Sequence, residues 1–395
     1  MSGASIRDRA AIVGIGQTPF AKHLGRSEYD MALEAILAAC ADAGIAPRDI
    51  DGTVRYDIET TDEEQLLAAL GNPLLRWFAS SAWGGGGSAS VLVLAAGAIA
   101  AGLATIVLVY RSRARGKHSA YGKGQHLGGR YWERLDTALP GLNGWHVPHG
   151  LVSAFQEMAM IAMRHRIEYG TTDDQYAEVA VAFREHARLN PNAVMRTPMT
   201  IADHHASRMI SDPLRLLDCC IETDGAVALI VTSAERARDL RQRPAYILSG
   251  AMAGGGHHIR LSTFYERDRF DDGAPRVARQ LWETAGVGPE DVDVAFFYDF
   301  FTPLVIMGLE DYGFAPRGEG GAFVEGGGIA WPDGRLPCNT NGGQLSEAFV
   351  HGFNNTVEAV RQIRGTSTSQ VPGCRATLVT GASGVATSAL VLRAA

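Results

Sequence analysis

Cysteine is scarce in this sequence and is not arranged as a metal site or a disulfide framework. The chain of 395 residues has five cysteines, an odd number, and none belongs to a CxxC pair. A closed set of disulfides needs an even number, and a zinc site needs paired ligands at short spacing. We therefore expect reduced thiols, no bound metal and a cytoplasmic protein.

The sequence also lacks a long apolar run and an apolar leader. Its longest apolar stretch, residues 89–104, is broken by glycine and is too short to cross a bilayer. The opening segment, MSGASIRDRAAIVGIG, has no apolar core of the kind that directs export. We expect neither a membrane span nor secretion.

An excess of positive charge is missing as well. Asp and Glu number 43 against 36 Lys and Arg, which gives a net charge of −7. A surface that binds nucleic acid needs an excess of basic side chains, so nucleic acid is excluded as the main partner. A local basic segment, residues 111–130, could still contact the phosphates of an acyl-CoA.

The most informative stretch that is present is residues 294–303, VAFFYDFFTP, with Tyr298 and Asp299 at its centre. A continuous apolar run closed by proline predicts a strand buried on both faces. We expect the end of this strand to be aimed at a functional site.

This stretch belongs to an internal repeat. Residues 41–60 and 283–302 align without a gap and are identical at eight of twenty positions, including Tyr56 with Tyr298. The repeat indicates duplication of one helix-turn-strand unit, so we expect two similar halves, residues 1–240 and 241–395. Strands that alternate with helices in both halves predict a layered α/β fold.

Two glycine-containing loops are candidate site elements. Residues 84–87 are four glycines that precede an apolar helix. Backbone N–H groups and the positive end of a helix suit the binding of an oxyanion. The alternative is a turn that binds no ligand. Residues 338–352, CNTNGGQLSEAFVHG, precede a second helix. Its glycines favour a loop with the helix starting near Gly352. A helix running unbroken from Leu345 would instead direct Phe349 and His351 to different faces.

The phrases YDFFTP, CNTNGGQLSEAFVHG and DPLRLLDCC resemble the thiolase superfamily, and most closely its sterol-carrier or lipid-transfer branch. The resemblance covers nearly the whole chain. It implies a five-layered αβαβα thiolase-like fold of two similar halves, an inserted loop domain at about residues 112–235, and a homodimer.

The departures from the thiolase pattern are specific. Gly84 stands where thiolases have the nucleophilic cysteine, Phe349 where they have a histidine, Val379 where they have a second cysteine, and Tyr298 where they have an asparagine. An acyl-enzyme cannot form without the thiolate. This pattern looks like the steroid side-chain aldolases, which cleave a β-hydroxyacyl-CoA by a retro-aldol reaction and work with an OB-fold, zinc-ribbon (DUF35-type) partner.

The resemblance assigns roles to named positions. Tyr298, helped by His351, would transfer the hydroxyl proton, and backbone N–H groups near Gly84 and Gly381 would hold the enolate. No cofactor is expected, and zinc is expected only in the partner protein. The substrate-binding positions are Gly84, Gly381, position 340 (Thr340, between two asparagines) and Phe349.

Other interpretations remain open. The family places a tyrosine where this chain has Phe349, which cannot transfer a proton; this favours a non-catalytic subunit that binds acyl-CoA or lipid. A thiolase-like acyltransferase would need an acyl-carrying residue that the sequence does not offer. Tyr298 could also be a packing residue, because its copy Tyr56 suggests an architectural role in both halves. Cys219 and Cys220 are expected to pack rather than react.

Overall fold

The computed structural model of the chain describes residues 5–56, 58–72, 75–81, 84–115, 149–151, 153–254, 273–382 and 387–395. Asp57 and residues 116–148 and 152 of the expected loop domain lie outside the described residues, and with them Lys117, Lys123 and Arg130 of the basic segment. Within the described part, no helix is both long enough and apolar enough to cross a membrane.

The described chain alternates strands with helices. The strands are β1 (Ala10–Gln17), β2 (Gly52–Tyr56), β3 (Trp77–Ser81), β4 (Ile106–Ala114), β5 (Met209–Ser211), β6 (Leu214–Arg215), β7 (Asp224–Ser233), β8 (Ala245–Ala253), β9 (Val294–Phe296), β10 (Ala376–Thr380) and β11 (Thr387–Arg393). The helices are α1 (Glu28–Ala43), α2 (Glu63–Ala69), α3 (Ser90–Ala100), α4 (Ala154–Tyr169), α5 (Asp173–Leu189), α6 (Ile201–Ala206), α7 (Ala234–Ala237), α8 (Gly273–Ala285), α9 (Thr302–Asp311), α10 (Gly320–Val324) and α11 (Phe353–Arg364).

Nine strands form one sheet in the order β3-β2-β4-β7-β1-β8-β11-β10-β9. Its two parts join at the short pairing of β1 with β8, where Ala11 faces Tyr246 and Ile12 faces Ala245. Both parts contribute side chains to one buried cluster that also contains α3 and α11. The sheet therefore has two parts that pack on opposite sides of a central helical layer.

Alternation along the strands defines the remaining layers. In β4, Val107 and Val109 point into the central layer, whereas Leu108 and Tyr110 pack against α1 in an outer cluster. The second part of the sheet is covered on its outer face by α8 and α9. The order helix, sheet, helix, sheet, helix confirms the five-layered α/β fold expected from the sequence.

The repeated units fold alike. Helices α1 and α8 both end at a left-handed glycine, Gly44 with φ 74° and Gly286 with φ 65°, and each is followed by a short 3₁₀ turn and a strand. The repeated aspartates also have the same role. Asp51 accepts hydrogen bonds from the backbone at the start of β4, and Asp293 accepts them at the start of β10. The division of the chain at residue 240 stays a prediction.

The segment 338–352 is a loop, as its glycines predict. A single π-helical turn, Gly343–Glu347, interrupts it, and α11 begins only at Phe353. Just before this helix, His351 and Gly352 both have left-handed backbone angles, with φ of 55° and 77°. Two successive left-handed residues break any continuation of the helix toward Leu345, so Phe349 and His351 belong to the loop.

Candidate active site

Tyr298 lies just after β9 and connects the two candidate loops. Its side chain is buried, and its backbone N–H donates to Oγ1 of Thr380 at 3.0 Å. A β-carbon placed on Gly85 would lie 2.6 Å from the Tyr298 hydroxyl oxygen, and one on Gly352 would lie 3.1 Å from its ring. The structure thus brings together the phenol, the glycine turn and the end of the 338–352 loop.

The glycine turn is the short 3₁₀ helix Gly84–Gly87, directly before α3. Three serine hydroxyl groups donate hydrogen bonds to its carbonyl oxygens. Ser81 and Ser90 donate to the Gly87 oxygen, and Ser388 donates to the Gly86 oxygen. A β-carbon on Gly84, in contrast, would meet no atom of the described residues within 4 Å. Among those residues, no thiol lies beside Gly84, where the nucleophilic cysteine of a thiolase would stand.

Gly381 does not have the role expected from the sequence. Its N–H donates to the carbonyl oxygen of Ser388 at 2.7 Å, and a β-carbon there would lie 2.5 Å from the Gly86 oxygen. Gly381 consequently packs the glycine turn against β11. Because its N–H is already bonded, it is not available to hold an enolate, and the expectation based on sequence needs correction.

Position 340 is an interior position that stabilises the 338–352 loop. Thr340 is fully buried, and its hydroxyl donates to Oε1 of Glu358 at 3.1 Å and accepts from Nε2 of Gln362 at 3.0 Å. Both partners belong to α11. With its hydroxyl committed in this way, Thr340 fixes the loop to the helix and does not face the open space beside Gly84.

A buried polar network, which the sequence reasoning missed, fixes the π-helical turn. Asp299 accepts from the N–H of Leu345 at 3.1 Å and from Asn355 at 3.2 Å, and burial raises its pKa to about 6. Glu347 accepts from Asn190, Asn341 and Asn354, and burial raises its pKa to about 7. The signal in the sequence was a run of amide residues between apolar segments, where every buried polar group needs a partner.

Phe349 and His351 lie side by side. Their ring centroids are 4.7 Å apart, and the Phe349 N–H donates to Oγ1 of Thr223 at 2.9 Å. His351 also contacts the ring of Tyr56, with centroids 5.3 Å apart. The tyrosine of the first repeat therefore packs against the histidine, whereas the tyrosine of the second repeat packs against the glycine turn.

Arg111 and Glu59 complete this cluster, and the sequence reasoning did not assign them to the site. Nη1 of Arg111 lies 2.8 Å from Oε2 of Glu59, and both side chains are fully buried. Nε of Arg111 lies 3.2 Å from Nδ1 of His351. Burial, reinforced by the nearby charges of Arg111 and Arg115, lowers the pKa of His351 well below its usual range. Arg111 is thus a buried part of the site rather than an exposed member of a basic segment.

A cavity of about 320 Å³ lies beside the loop. Its walls include Met195, Met199, Leu345 and the segment 219–222. That segment contacts the site directly, because the Cys220 N–H donates to the Phe300 oxygen at 2.9 Å. The volume is within the range of small-molecule sites, and the lining is mainly apolar.

The cysteines and the potential metal ligands are the remaining groups that could carry chemistry. All five cysteines are buried, and burial raises the pKa of Cys40 and Cys374 to about 12. Burial also raises the pKa of Cys219 and Cys338 above the ordinary value of a thiol. In the described ranges, no three His, Cys, Asp or Glu side chains converge as metal ligands would. The described residues therefore offer neither a reactive thiolate nor a metal site.

Comparison with known proteins extends to nearly the whole chain. The family described as "Thiolase C-terminal domain-like" matches residues 255–392. The "17-hydroxy-3-oxo-4-pregnene-20-carboxyl-CoA lyase" of Mycobacterium tuberculosis is 44% identical over 97% of this chain and 99% of its own length. The "steroid side-chain-cleaving aldolase" of Thermomonospora curvata is 44% identical over 98% of each chain.

Solved structures agree with the sequence relatives. The "Ltp2-ChsH2(DUF35) aldolase" superposes with a TM-score of 0.91, at 40% identity and 98% coverage of both chains. Human mitochondrial 3-ketoacyl-CoA thiolase has a TM-score of 0.70 at 15% identity over 98% of this chain and 99% of its own, which shows the shared fold alone. The chain belongs to the thiolase superfamily and, within it, to the family of steroid side-chain-cleaving aldolases, which are carbon–carbon lyases.

Proposed function

We propose that this chain cleaves the side chain of a steroid that carries a β-hydroxyacyl-CoA group, by a retro-aldol reaction. One observation carries the proposal: the phenol of Tyr298 contacts the glycine turn before α3, next to Gly84, the position where a thiolase would need its thiol. The M. tuberculosis relative, named as a 17-hydroxy-3-oxo-4-pregnene-20-carboxyl-CoA lyase, supports a 17-hydroxysteroid substrate.

The reaction needs proton transfer and enolate stabilisation, but no covalent intermediate. Tyr298, as phenolate, accepts the proton of the β-hydroxyl group, and the C–O bond becomes a ketone. The bond between the α- and β-carbons breaks, its electron pair forms the thioester enolate, and the phenol returns the proton to the α-carbon. The phenol contacts the glycine turn that precedes α3.

The apolar cavity and the loop give the substrate a place to bind. The cavity beside segment 219–222 adjoins both Phe300 and the π-helical turn, so we propose that it holds part of the acyl-CoA. Phe349 adds an apolar ring next to His351. His351 assists Tyr298 from the other side of the loop. No cofactor takes part in this scheme.

We also propose two kinds of assembly. The aldolase structure named with a DUF35 component supports an OB-fold, zinc-ribbon partner, which would hold the zinc. A homodimer is supported by β3, an edge strand of the sheet on which Phe78 is 70% exposed. Unpaired strand edges and exposed aromatic residues are typical of surfaces that pair with another chain. Light scattering at micromolar concentration tests the dimer, and a monomer would contradict it.

The function is tested by product analysis. The purified chain, alone and with a DUF35-type protein, is incubated with 17-hydroxy-3-oxo-4-pregnene-20-carboxyl-CoA and with a β-hydroxyacyl-CoA that lacks rings. Mass spectrometry should find a 17-ketosteroid and a shortened acyl-CoA. Acyl-CoA that binds but stays intact under both conditions would favour the non-catalytic subunit, for which Phe349 is the supporting feature.

A further inference from the structure

The hydrogen bond between Arg111 and His351 fixes the position of the imidazole proton. An arginine Nε always carries hydrogen, so the His351 Nδ1 atom that lies 3.2 Å from it must be the acceptor. In a neutral imidazole with Nδ1 as acceptor, the ring proton is on Nε2. The contact therefore makes His351 a hydrogen-bond donor through Nε2, toward any acceptor that lies next to this nitrogen.

Arg111 cannot easily turn away from this contact. Its Nη1 is paired with Glu59 at 2.8 Å and also donates to the Ser112 carbonyl oxygen at 3.0 Å. Glu59 is itself fixed, because its carboxylate accepts from the backbone N–H groups of Ser112, Thr60 and Thr61. The ion pair is completely buried, and the bonds to Nη1 and to the carboxylate hold it in place, while Nη2 of Arg111 has no hydrogen-bond partner among the described residues.

The groups packed around His351 oppose a second proton. Strand β2 contributes the Tyr56 ring, the loop contributes the Phe349 ring, and β4 and the residue after it contribute the guanidinium groups of Arg111 and Arg115. The carboxylate of Glu59 also belongs to this cluster, and it is paired with Arg111. An imidazolium here would face Arg111 across its Nδ1, so His351 is poorly suited to act as a base.

We propose that Glu59 and Arg111 hold His351 as a neutral Nε2–H donor to the thioester carbonyl oxygen of the substrate, where the enolate charge develops. His351 then supplies the donor that Gly381 cannot, and Tyr298 remains as the proton-transfer group. Arg111 and Glu59 are positioning residues. This inference rests on the proposed retro-aldol function and assigns the roles within that site.

The arrangement of the loop supports the division of roles. His351 and Gly352 are adjacent in the chain, and Gly352 packs against the Tyr298 ring. The imidazole therefore belongs to the residue next to the one that contacts the phenol ring. Charge that develops on an oxygen is stabilised by a fixed donor, and removal of one such donor typically lowers turnover by about 10²- to 10³-fold.

The first arm of the test is spectroscopic and does not depend on activity. In full-length chain with ¹⁵N-labelled histidine rings, the signals of His351 are identified by their loss in His351→Gln. They should show the neutral Nε2–H form from pH 5.5 to 9. In Arg111→Gln, the ring should lose its single fixed tautomer and its pKa should rise, while burial and Arg115 still hold that pKa below its ordinary range. A wild-type ring with its proton on Nδ1, or one that titrates near the ordinary value of about 6.5, overturns the inference.

The second arm is kinetic, with the partner protein present. His351→Gln should lower kcat by about a hundredfold or more, and Arg111→Gln by at least about tenfold with a changed pH profile, while KM changes little. Arg111→Lys keeps the charge but has no Nε–H, so it should not restore the rate. Arg55→Gln is the control, since it removes an ion pair with Glu63 from the neighbouring strand β2. It should leave kcat unchanged.

The two arms separate the two claims. If the wild type cleaves substrate and Arg111→Gln or Arg111→Lys retains full kcat with an unchanged pH profile, the positioning role is wrong and the proposed function stands. If the wild type gives no cleavage with the partner, the proposed function fails and the catalytic role of His351 fails with it. If an Arg111 variant does not fold, the wild-type ring signals and the His351→Gln rate still decide the matter.

Discussion

The hydroxyl oxygen of Tyr298 lies 2.6 Å from the point that a β-carbon would occupy on Gly85. No side chain other than hydrogen is compatible with this approach of a phenol to the head of α3. A β-carbon on Gly84, one residue earlier, would meet no described atom within 4 Å. The two glycines therefore have different reasons to be glycine, and only Gly85 is required by the phenol.

Gly85→Ala should displace the phenol and lower kcat/KM by at least about tenfold, which corresponds to about 1.4 kcal/mol. Gly97→Ala, within α3, is the matched control. Its β-carbon would meet no described atom within 4 Å, and its helical backbone accepts alanine. Steady-state kinetics and thermal unfolding of both variants are the measurements. Equal activity of the two variants would contradict the contact between Gly85 and Tyr298.

The layered fold was predictable from the sequence because its signals are local. Apolar strands, glycine stops and the gapless repeat each lie within about twenty residues, and the helix start at Phe353 follows from the preceding glycine. The repeat also explains why Asp51 and Asp293 recur, since both bind the start of a neighbouring strand.

The polar contacts of the site were not predictable in the same way. Arg111 and His351 are 240 positions apart, and their contact depends on how the two parts of the sheet pack on the central layer. The role of Gly381 was misjudged for a related reason. A family motif places the residue beside the glycine turn, but only the strand register shows that its N–H is bonded to Ser388.

Phe349→Tyr should keep turnover equal or raise it. The ring lies 4.7 Å from the His351 centroid and only partly inside the core, so an added hydroxyl can face the substrate space and restore the phenol of the family pattern. The check is kcat with the steroid acyl-CoA. A loss greater than about tenfold at unchanged stability would mean that Phe349 is required as an apolar wall.

Iodoacetamide should not inactivate the enzyme. All five thiols are buried, and the pKa of Cys40 and Cys374 is raised to about 12, so the reactive thiolate is rare near neutral pH. The remaining activity is measured after incubation at pH 8, with a cysteine-dependent thiolase treated in parallel as the control. Rapid, stoichiometric inactivation would reveal a nucleophilic cysteine and contradict the non-covalent route.

Glu347 should make the free energy of unfolding fall as the pH rises. Burial raises its folded-state pKa to about 7, above the ordinary value of about 4.3, so the folded chain binds the extra proton between these values. The stabilisation is complete below about pH 4.3 and is lost as the pH rises through about 7. Asp299, with a folded-state pKa of about 6, acts in the same direction.

The check is chemical denaturation from pH 5 to pH 8. Between these pH values, the free energy of unfolding of Glu347→Gln should fall by on the order of 2 kcal/mol less than that of the wild type, because an amide does not titrate. Glu185→Gln is the control, since this exposed side chain pairs with Arg188 at the surface and should leave the slope unchanged. If Glu347→Gln has the same slope as the wild type, Glu347 is ionised in the folded chain throughout this range.

The most direct test of the account is single-turnover cleavage of the steroid β-hydroxyacyl-CoA by the wild type and by Tyr298→Phe, each with the DUF35-type partner. Phenylalanine retains the packing against Gly85 and Gly352 but cannot accept a proton, and a positioned general base typically contributes about 10²- to 10⁴-fold. The account predicts a fall of at least about a hundredfold in the rate of 17-ketosteroid formation, with the unfolding temperature unchanged. Full activity of Tyr298→Phe would show that Tyr298 is a packing residue and would contradict the central claim.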